Sequence, residues 1–179
     1  MPDPPDHLAT VGAIVDALRG LELGPVLVGG MALVVLGSRR ITRDFDLVVA
    51  APGERVDRML DVFYDRRLEL AARVDAAGSV TATIANRRVA AVRLRIDAPS
   101  SAYFLNVKTG LRVDLLFDFP IQAVALAEHA TRMKIRSHVF EIASEQDLLR
   151  LKTIARAARS APGDAEDIAF LESRLRNVT

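Results

Sequence analysis

Asp44 and Asp46 stand two residues apart in the run Asp44-Phe45-Asp46-Leu47-Val48-Val49. Residues i and i+2 of a β-strand point to the same face, so the two carboxylates lie side by side while Phe45 and Leu47 turn to the core. Like charges held this close raise each other's pKa, and a divalent metal is the usual relief. A third aspartate, Asp114, occupies the strand-like run Leu111 to Phe117, where Val113, Leu115 and Phe117 share one face and Arg112, Asp114 and Leu116 the other. If these strands are neighbours, three carboxylates converge into an oxygen-rich set suited to Mg²⁺ or Mn²⁺. Such a site serves an in-line phosphoryl or nucleotidyl displacement, with metal holding the attacking and leaving oxygens and the third carboxylate acting as general base. The structural alternative for each aspartate is an edge cap or an arginine partner.

Gly29-Gly30 precedes the aspartate pair, with thirteen residues between Gly30 and Asp44. Glycines where a strand meets a helix let backbone approach a triphosphate, and the first turn of a helix offers free N–H groups. A glycine pair alone is more often a plain turn; its value lies in its spacing from the aspartates. Lys152, Arg156 and Arg159 follow at intervals of four and three, on one helix face, and could neutralise triphosphate or an RNA backbone. The alternative is a solvated basic face paired with Glu145, Asp164 or Asp167. His7, His129 and His138 have no partner at a meaningful spacing and read as surface or packing residues.

The totals bound the rest. A chain of 179 residues that is 50% hydrophobic and 26% charged has the composition of a globular protein. It reads as one unit over 1–179, with a core over about 20–143 and a C-terminal helical part over about 144–179. A formal net charge of +1 gives no global field for nucleic acid, so such a partner needs a local patch. The absence of cysteine excludes disulfides, thiolate metal sites and a thiol nucleophile. The acidic, proline-rich start does not resemble a secretory signal, and no apolar run is long enough to span a membrane. No membrane partner and a cytoplasmic location are expected.

Elements that must position these residues follow from periodicity. A helix is expected over Asp6 to Leu21, a short buried strand over Val26 to Val28, a buried helix after the glycine pair, a turn over Ser38 to Arg43, and a strand over Asp44 to Ala50. A helix is expected over Glu54 to Leu68, whereas residues 69 to 87 suit either strand or a helical extension. The segment Arg88 to Asp97 alternates toward its end and reads as a strand. A hairpin is expected from Tyr103 to Phe117, a short helix over Ile121 to His129, and a second hairpin over Met133 to Ile142. Ser144 and Asp147 imitate a capping box for a helix from Glu145 to about Ser160, and a last helix runs over Ala165 to Leu175. Strands and helices in this order indicate an α+β core.

Gly-Gly, thirteen residues, then Asp-Phe-Asp-Leu, and much later an aspartate in Arg-Val-Asp-Leu-Leu, resemble the nucleotidyltransferase signature of the DNA polymerase β superfamily. More specifically, VGGMAL with RRITRDFDLVV, and SEQDLLRLKTIARAARSAPGDAEDIAFL, are similar to AbiEii-type toxin nucleotidyltransferases. The resemblance implies a nucleotidyltransferase fold, a small mixed sheet flanked by helices with a C-terminal helical part. It also implies NMP transfer from an NTP, with Mg²⁺ or Mn²⁺, to an acceptor hydroxyl on RNA, including tRNA, by a toxin restrained by an antitoxin protein. On that resemblance Asp44 and Asp46 bind metal, with Asp114 as third ligand activating the acceptor hydroxyl. Gly29 and Gly30 cradle the triphosphate, Arg40 and Thr42 lie beside it, and Lys152 contacts phosphate. Asp164 and Asp167 match the family's acidic pair, with capping of the last helix as the alternative for Asp164. Many superfamily members have Gly-Ser in place of Gly-Gly. Two other readings stay open: small-molecule nucleotidyl transfer, for example to an aminoglycoside, and an inactive domain that binds nucleotide or a partner.

Overall fold

Apolar residues at the spacing of a helix or a strand place most elements. The computed structural model describes residues 6–159 and 161–178. The proline-rich start and Ser160, the expected end of a helix, lie largely or wholly outside them. The first helix, α1 (His7–Gly20), is capped by Asp6, whose side chain accepts from the Ala9 amide, and buries Val11, Ile14, Val15 and Leu18. Gly12 of α1 has no room for a side chain, because the His138 ring lies where a Cβ would go.

Strand β1 (Val26–Val28) is buried throughout and passes directly into the short helix α2 (Gly29–Val35), after which β2 (Asp44–Val49) returns antiparallel to β1. A 3-10 turn, Gly53–Arg55, then leads into α3 (Val56–Tyr64). The helix expected to reach Leu68 therefore stops four residues earlier, and Leu68 caps the turn by donating its amide to Phe63. The ambiguous stretch that follows is a hairpin of β3 (Glu69–Val74) and β4 (Val80–Ile84).

The strand expected over Arg88 to Asp97 is instead a helix, α4 (Arg87–Asp97). Asn86 caps it, its side chain accepting from the amides of Arg88 and Val89. Alternation in Val92-Arg93-Leu94-Arg95-Ile96 suggested a strand, but the buried residues are Ala90, Ala91 and Leu94, at helical spacing, while Val92 and Ile96 are exposed. With a sound N-cap and an alanine face that fits closely against the protein, the helical period prevails.

Strands β5 (Ser101–Leu105) and β6 (Arg112–Phe117) form the expected hairpin. Helix α5 (Ala123–His129) and a second hairpin, β7 (Thr131–Ile135) with β8 (His138–Ile142), follow. Helix α6 (Glu145–Ala158) begins at Ser144, whose hydroxyl accepts from the Asp147 amide at 3.1 Å. Helix α7 (Asp164–Asn177) completes the chain.

All eight strands join one mixed sheet in the order β4-β3-β5-β6-β2-β1-β8-β7. Its central strands are β6, β2 and β1, with β2 parallel to β6 and β1 parallel to β8. One face is apolar: Phe45, Leu47, Val113, Leu115 and Phe104 are buried, and α3 covers it through Phe63, stacked on Phe104 with ring centroids 3.9 Å apart. The opposite face of the same strands carries the aspartates, because alternate residues point to opposite sides.

Candidate active site

Strand register brings the three aspartates together. Asp46 of β2 is directly level with Asp114 of β6, and Asp44 is level with Arg112 one pleat away. The two strands are neighbours and run parallel, which meets the condition on which the three carboxylates converge. Asp44 and Asp46 are half-buried while the intervening Phe45 is buried. Neither aspartate's carboxylate has a hydrogen-bond or ion-pair partner among the described residues. Burial is the largest influence on Asp46, followed by the charges of Asp114 and Asp44. Together they push its carboxyl from the ordinary 3.8 up to about 7, against the pull of Lys152 and Arg112.

Asp114 is held differently. The residue is buried and its carboxylate lies in an arginine fork: Arg112 Nε donates to Oδ1 at 2.7 Å and a terminal nitrogen donates to Oδ2 at 3.0 Å. Burial raises the Asp114 carboxyl above its ordinary range even though the fork pulls it down, and Asp44 adds to the rise. As these side chains stand, no group of three or more His, Asp or Glu among the described residues is arranged to hold a metal ion. The fork turns both oxygens of Asp114 to the guanidinium. The donor set itself fits a hard divalent cation: three carboxylates on one face of two adjacent strands, Asp46 level with Asp114, and two of them without a hydrogen-bond or ion-pair partner among the described residues.

Both glycines are sites of close approach. Gly29 has φ +69°, and a Cβ there would meet Asp46 Oδ2 at 2.1 Å. At Gly30 it would meet the Arg40 guanidinium carbon at 2.9 Å. The room left by the missing side chains is thus filled by Asp46 and Arg40, which ties the glycine turn to the aspartate strand and to the loop before it. In that loop Ser38, Arg40 and Thr42 are half-buried, whereas Arg39, Ile41 and Arg43 are exposed.

Arg40, Lys152, Asp164 and Asp167 form one cluster. Asp167, 4% exposed, accepts from Arg40 and pairs with Lys152 Nζ at 2.8 Å. Lys152 also pairs with Asp164 at 3.5 Å, and Asp164 accepts from the Ala161 amide at 3.2 Å. Lys152 therefore has the acidic partners that the structural alternative gave it, and it still lowers the pKa of Asp46. Arg156 and Arg159 are exposed and make no ion pair with the described residues. The cluster fastens α6 and α7 to the loop beside the glycine turn.

Two residues at this site went unassigned in the sequence. Arg112 was placed on the face of Asp114 without a role, although an Arg-x-Asp pair in one strand is the pattern of a same-face ion pair. Tyr103 lies opposite Asp114 on β5, with the Arg112 guanidinium 4.9 Å from its ring centroid; nothing local in the sequence marks that contact.

By sequence, the chain matches no protein-family model and no curated protein. By structure, it is similar to the lincosamide antibiotic adenylyltransferase LnuA in its lincomycin-bound crystal form. The TM-score is 0.56 at 14% identity, covering 92% of this chain and 96% of that one. The crystal structure of ANT(2'')-Ia in complex with adenylyl-2''-tobramycin gives a TM-score of 0.58 at 12% identity, covering 96% and 90% respectively. An antigenic nucleotidyltransferase-like protein from Paracoccidioides brasiliensis gives 0.58 at 16% identity, covering 93% and 75%. At such identities the likeness shows the fold: this chain has the mixed-sheet α+β architecture of the nucleotidyltransferases.

Proposed function

We propose that the chain is a metal-dependent nucleotidyltransferase that moves NMP from an NTP to an acceptor hydroxyl. The observation that carries this reading is the level pairing of Asp46 with Asp114, with Asp44 on the same face and Gly29 packed against Asp46. Asp44, Asp46 and Asp114 would hold a divalent ion, which would supply neutralising charge to the triphosphate. The acceptor oxygen forms a bond to the α-phosphorus, the bond from that phosphorus to the α,β-bridging oxygen breaks, and pyrophosphate leaves with the electron pair. Asp114, level with Asp46 on the neighbouring strand, takes the hydroxyl proton. The backbone of the Gly29-Gly30 turn, with Arg40, Thr42 and Lys152, would border the triphosphate.

For the acceptor, we favour RNA, including tRNA, in keeping with the AbiEii-type resemblance and with a toxin role under an antitoxin. Charge supports this choice. Arg39 and Arg43 project from the loop beside the glycine turn, and Arg156 lies one turn beyond Lys152 on α6. Arg159 follows just past the end of that helix, in an extended conformation, although its spacing alone puts it on the helix face of Lys152. None of the four has an ion-pair partner among the described residues. Unpaired arginines suit a phosphate backbone and repel a polycation. A small-molecule acceptor is the second reading, supported by the likeness over nearly the whole chain to LnuA and ANT(2'')-Ia.

Incubation with each α-labelled NTP, Mg²⁺ and either total RNA or a panel of lincosamides and aminoglycosides separates the two. Label in RNA is expected. Label only in an antibiotic selects the second reading, and label in neither, with no metal-dependent NTP binding, contradicts nucleotidyl transfer.

A further inference from the structure

Nucleotidyl transfer as described leaves Arg112 without a task, yet it is the most firmly held arginine at the site. Its side chain is 15% exposed and that of Asp114 11%, so the pair is largely withdrawn from water. The fork engages both oxygens of Asp114. A further guanidinium nitrogen donates to the carbonyl of Gly78, in the turn between β3 and β4, and the guanidinium lies by the Tyr103 ring. Those last two contacts do not involve a carboxylate, so Arg112 retains a seat when Asp114 is taken away from it.

We propose that Arg112 is a latch on the third carboxylate: it competes with the metal ion for Asp114, so that ion loading depends on the incoming nucleotide. The inference rests on reading Asp44, Asp46 and Asp114 as the metal site. A guanidinium fork on a withdrawn carboxylate combines charge with two aligned hydrogen bonds, and an ion alone must displace it using protein oxygens only. A nucleotide brings phosphate oxygens that complete the ion's shell and give the released guanidinium a new anionic partner. Opening the fork also frees an Asp114 oxygen to take the acceptor proton. Arg112 is thus a positioning residue that acts through Asp114.

Mn²⁺ binding, followed by the paramagnetic resonance signal of the free ion, tests this in the full chain without catalysis. Without nucleotide, Arg112→Met is expected to bind Mn²⁺ about tenfold or more tightly than the wild type, because the competing charge-assisted bonds to Asp114 are gone. The gain should shrink when a non-hydrolysable NTP analogue is present and vanish in Arg112→Met/Asp114→Asn. Arg112→Lys, which keeps a cation but cannot fork, should show a smaller gain in the same direction, and it carries the test if Arg112→Met fails to fold by circular dichroism. Equal or weaker Mn²⁺ binding by the Arg112 variants overturns the latch. If that result accompanies Mn²⁺ binding by the wild type with nucleotide that Asp46→Asn abolishes, the metal site stands and only the latch falls. Absence of Mn²⁺ binding by every protein, with and without nucleotide, overturns both.

Discussion

Gly29 lies so close to Asp46 that a Cβ on the glycine would meet the Asp46 carboxylate oxygen at 2.1 Å. The same glycine sits at φ +69°, where an L side chain is itself strained. Gly29→Ala is therefore expected to cost about 2 kcal/mol or more of stability, read from the midpoint of urea unfolding. Gly30 has an ordinary φ and faces the end of a long arginine side chain, so Gly30→Ala should cost about 1 kcal/mol or less. Equal losses at the two positions would count against the close approach of Gly29 to the carboxylate.

The Asp46 carboxyl, raised from 3.8 to about 7, makes a signed prediction about pH. Between those values the folded chain holds a proton that the unfolded chain releases, so folding stability falls as pH rises through this window in the absence of divalent metal. The raised carboxyl of Asp114 acts in the same direction. Chemical unfolding with a chelator at pH 5 and pH 8 should show lower stability at pH 8, and Asp46→Asn should reduce the difference. Added Mg²⁺ should stabilise the wild type more at pH 8 than at pH 5, because the ion binds the ionised form. A pH response unchanged by Asp46→Asn would assign it to other groups.

Asp167 receives two cations, Arg40 and Lys152, at a buried carboxylate, and its removal leaves both without their shared counter-charge. Breaking such a pair from one side costs several kcal/mol when fully buried. Arg40 is partly open to solvent, 30% exposed, which reduces the expected cost of Asp167→Ala to about 2–3 kcal/mol. Asp164→Ala should cost less, since its lysine contact is 3.5 Å. Unfolding midpoints check the order, and a larger loss at Asp164 would contradict it.

Asn86 accepts from the amides of Arg88 and Val89 at the start of α4. Asn86→Ala should lower stability by about 1 kcal/mol, whereas Val92→Lys, on the exposed side of the helix, should leave it within about 0.5 kcal/mol. A strand in this segment would lack both effects of the helical arrangement.

The aspartate strand was legible because its signal is local. A period of two sets Asp44 and Asp46 on one face and Phe45 and Leu47 on the other, and the chain has no other partner for that face until the sheet is built. The same logic placed Arg112 beside Asp114. What it lacked was the relation between strands: Asp46 level with Asp114 depends on β2 and β6 running parallel, and nothing in either strand states its register. The error at α4 arose where two periods overlap, since Val92, Leu94 and Ile96 alternate as a strand would while Ala90, Ala91 and Leu94 form the buried helical face. Small alanines carry little hydrophobic signal, so the period they define was hidden. The joining of Arg40 to Asp167 spans 127 residues and is a property of how α7 lies against the loop after α2. Sequence resemblance named Lys152, Asp164 and Asp167 without showing that they bind one another.

The central claim is that the carboxylates of β2 and β6 form the metal and triphosphate site of a nucleotidyltransferase. Transfer of label from α-labelled NTP to RNA by purified protein, wild type against Asp46→Ala, tests it most directly. The account predicts Mg²⁺-dependent label with the wild type and its loss in Asp46→Ala while the variant stays folded. Label that persists in folded Asp46→Ala would contradict the assignment.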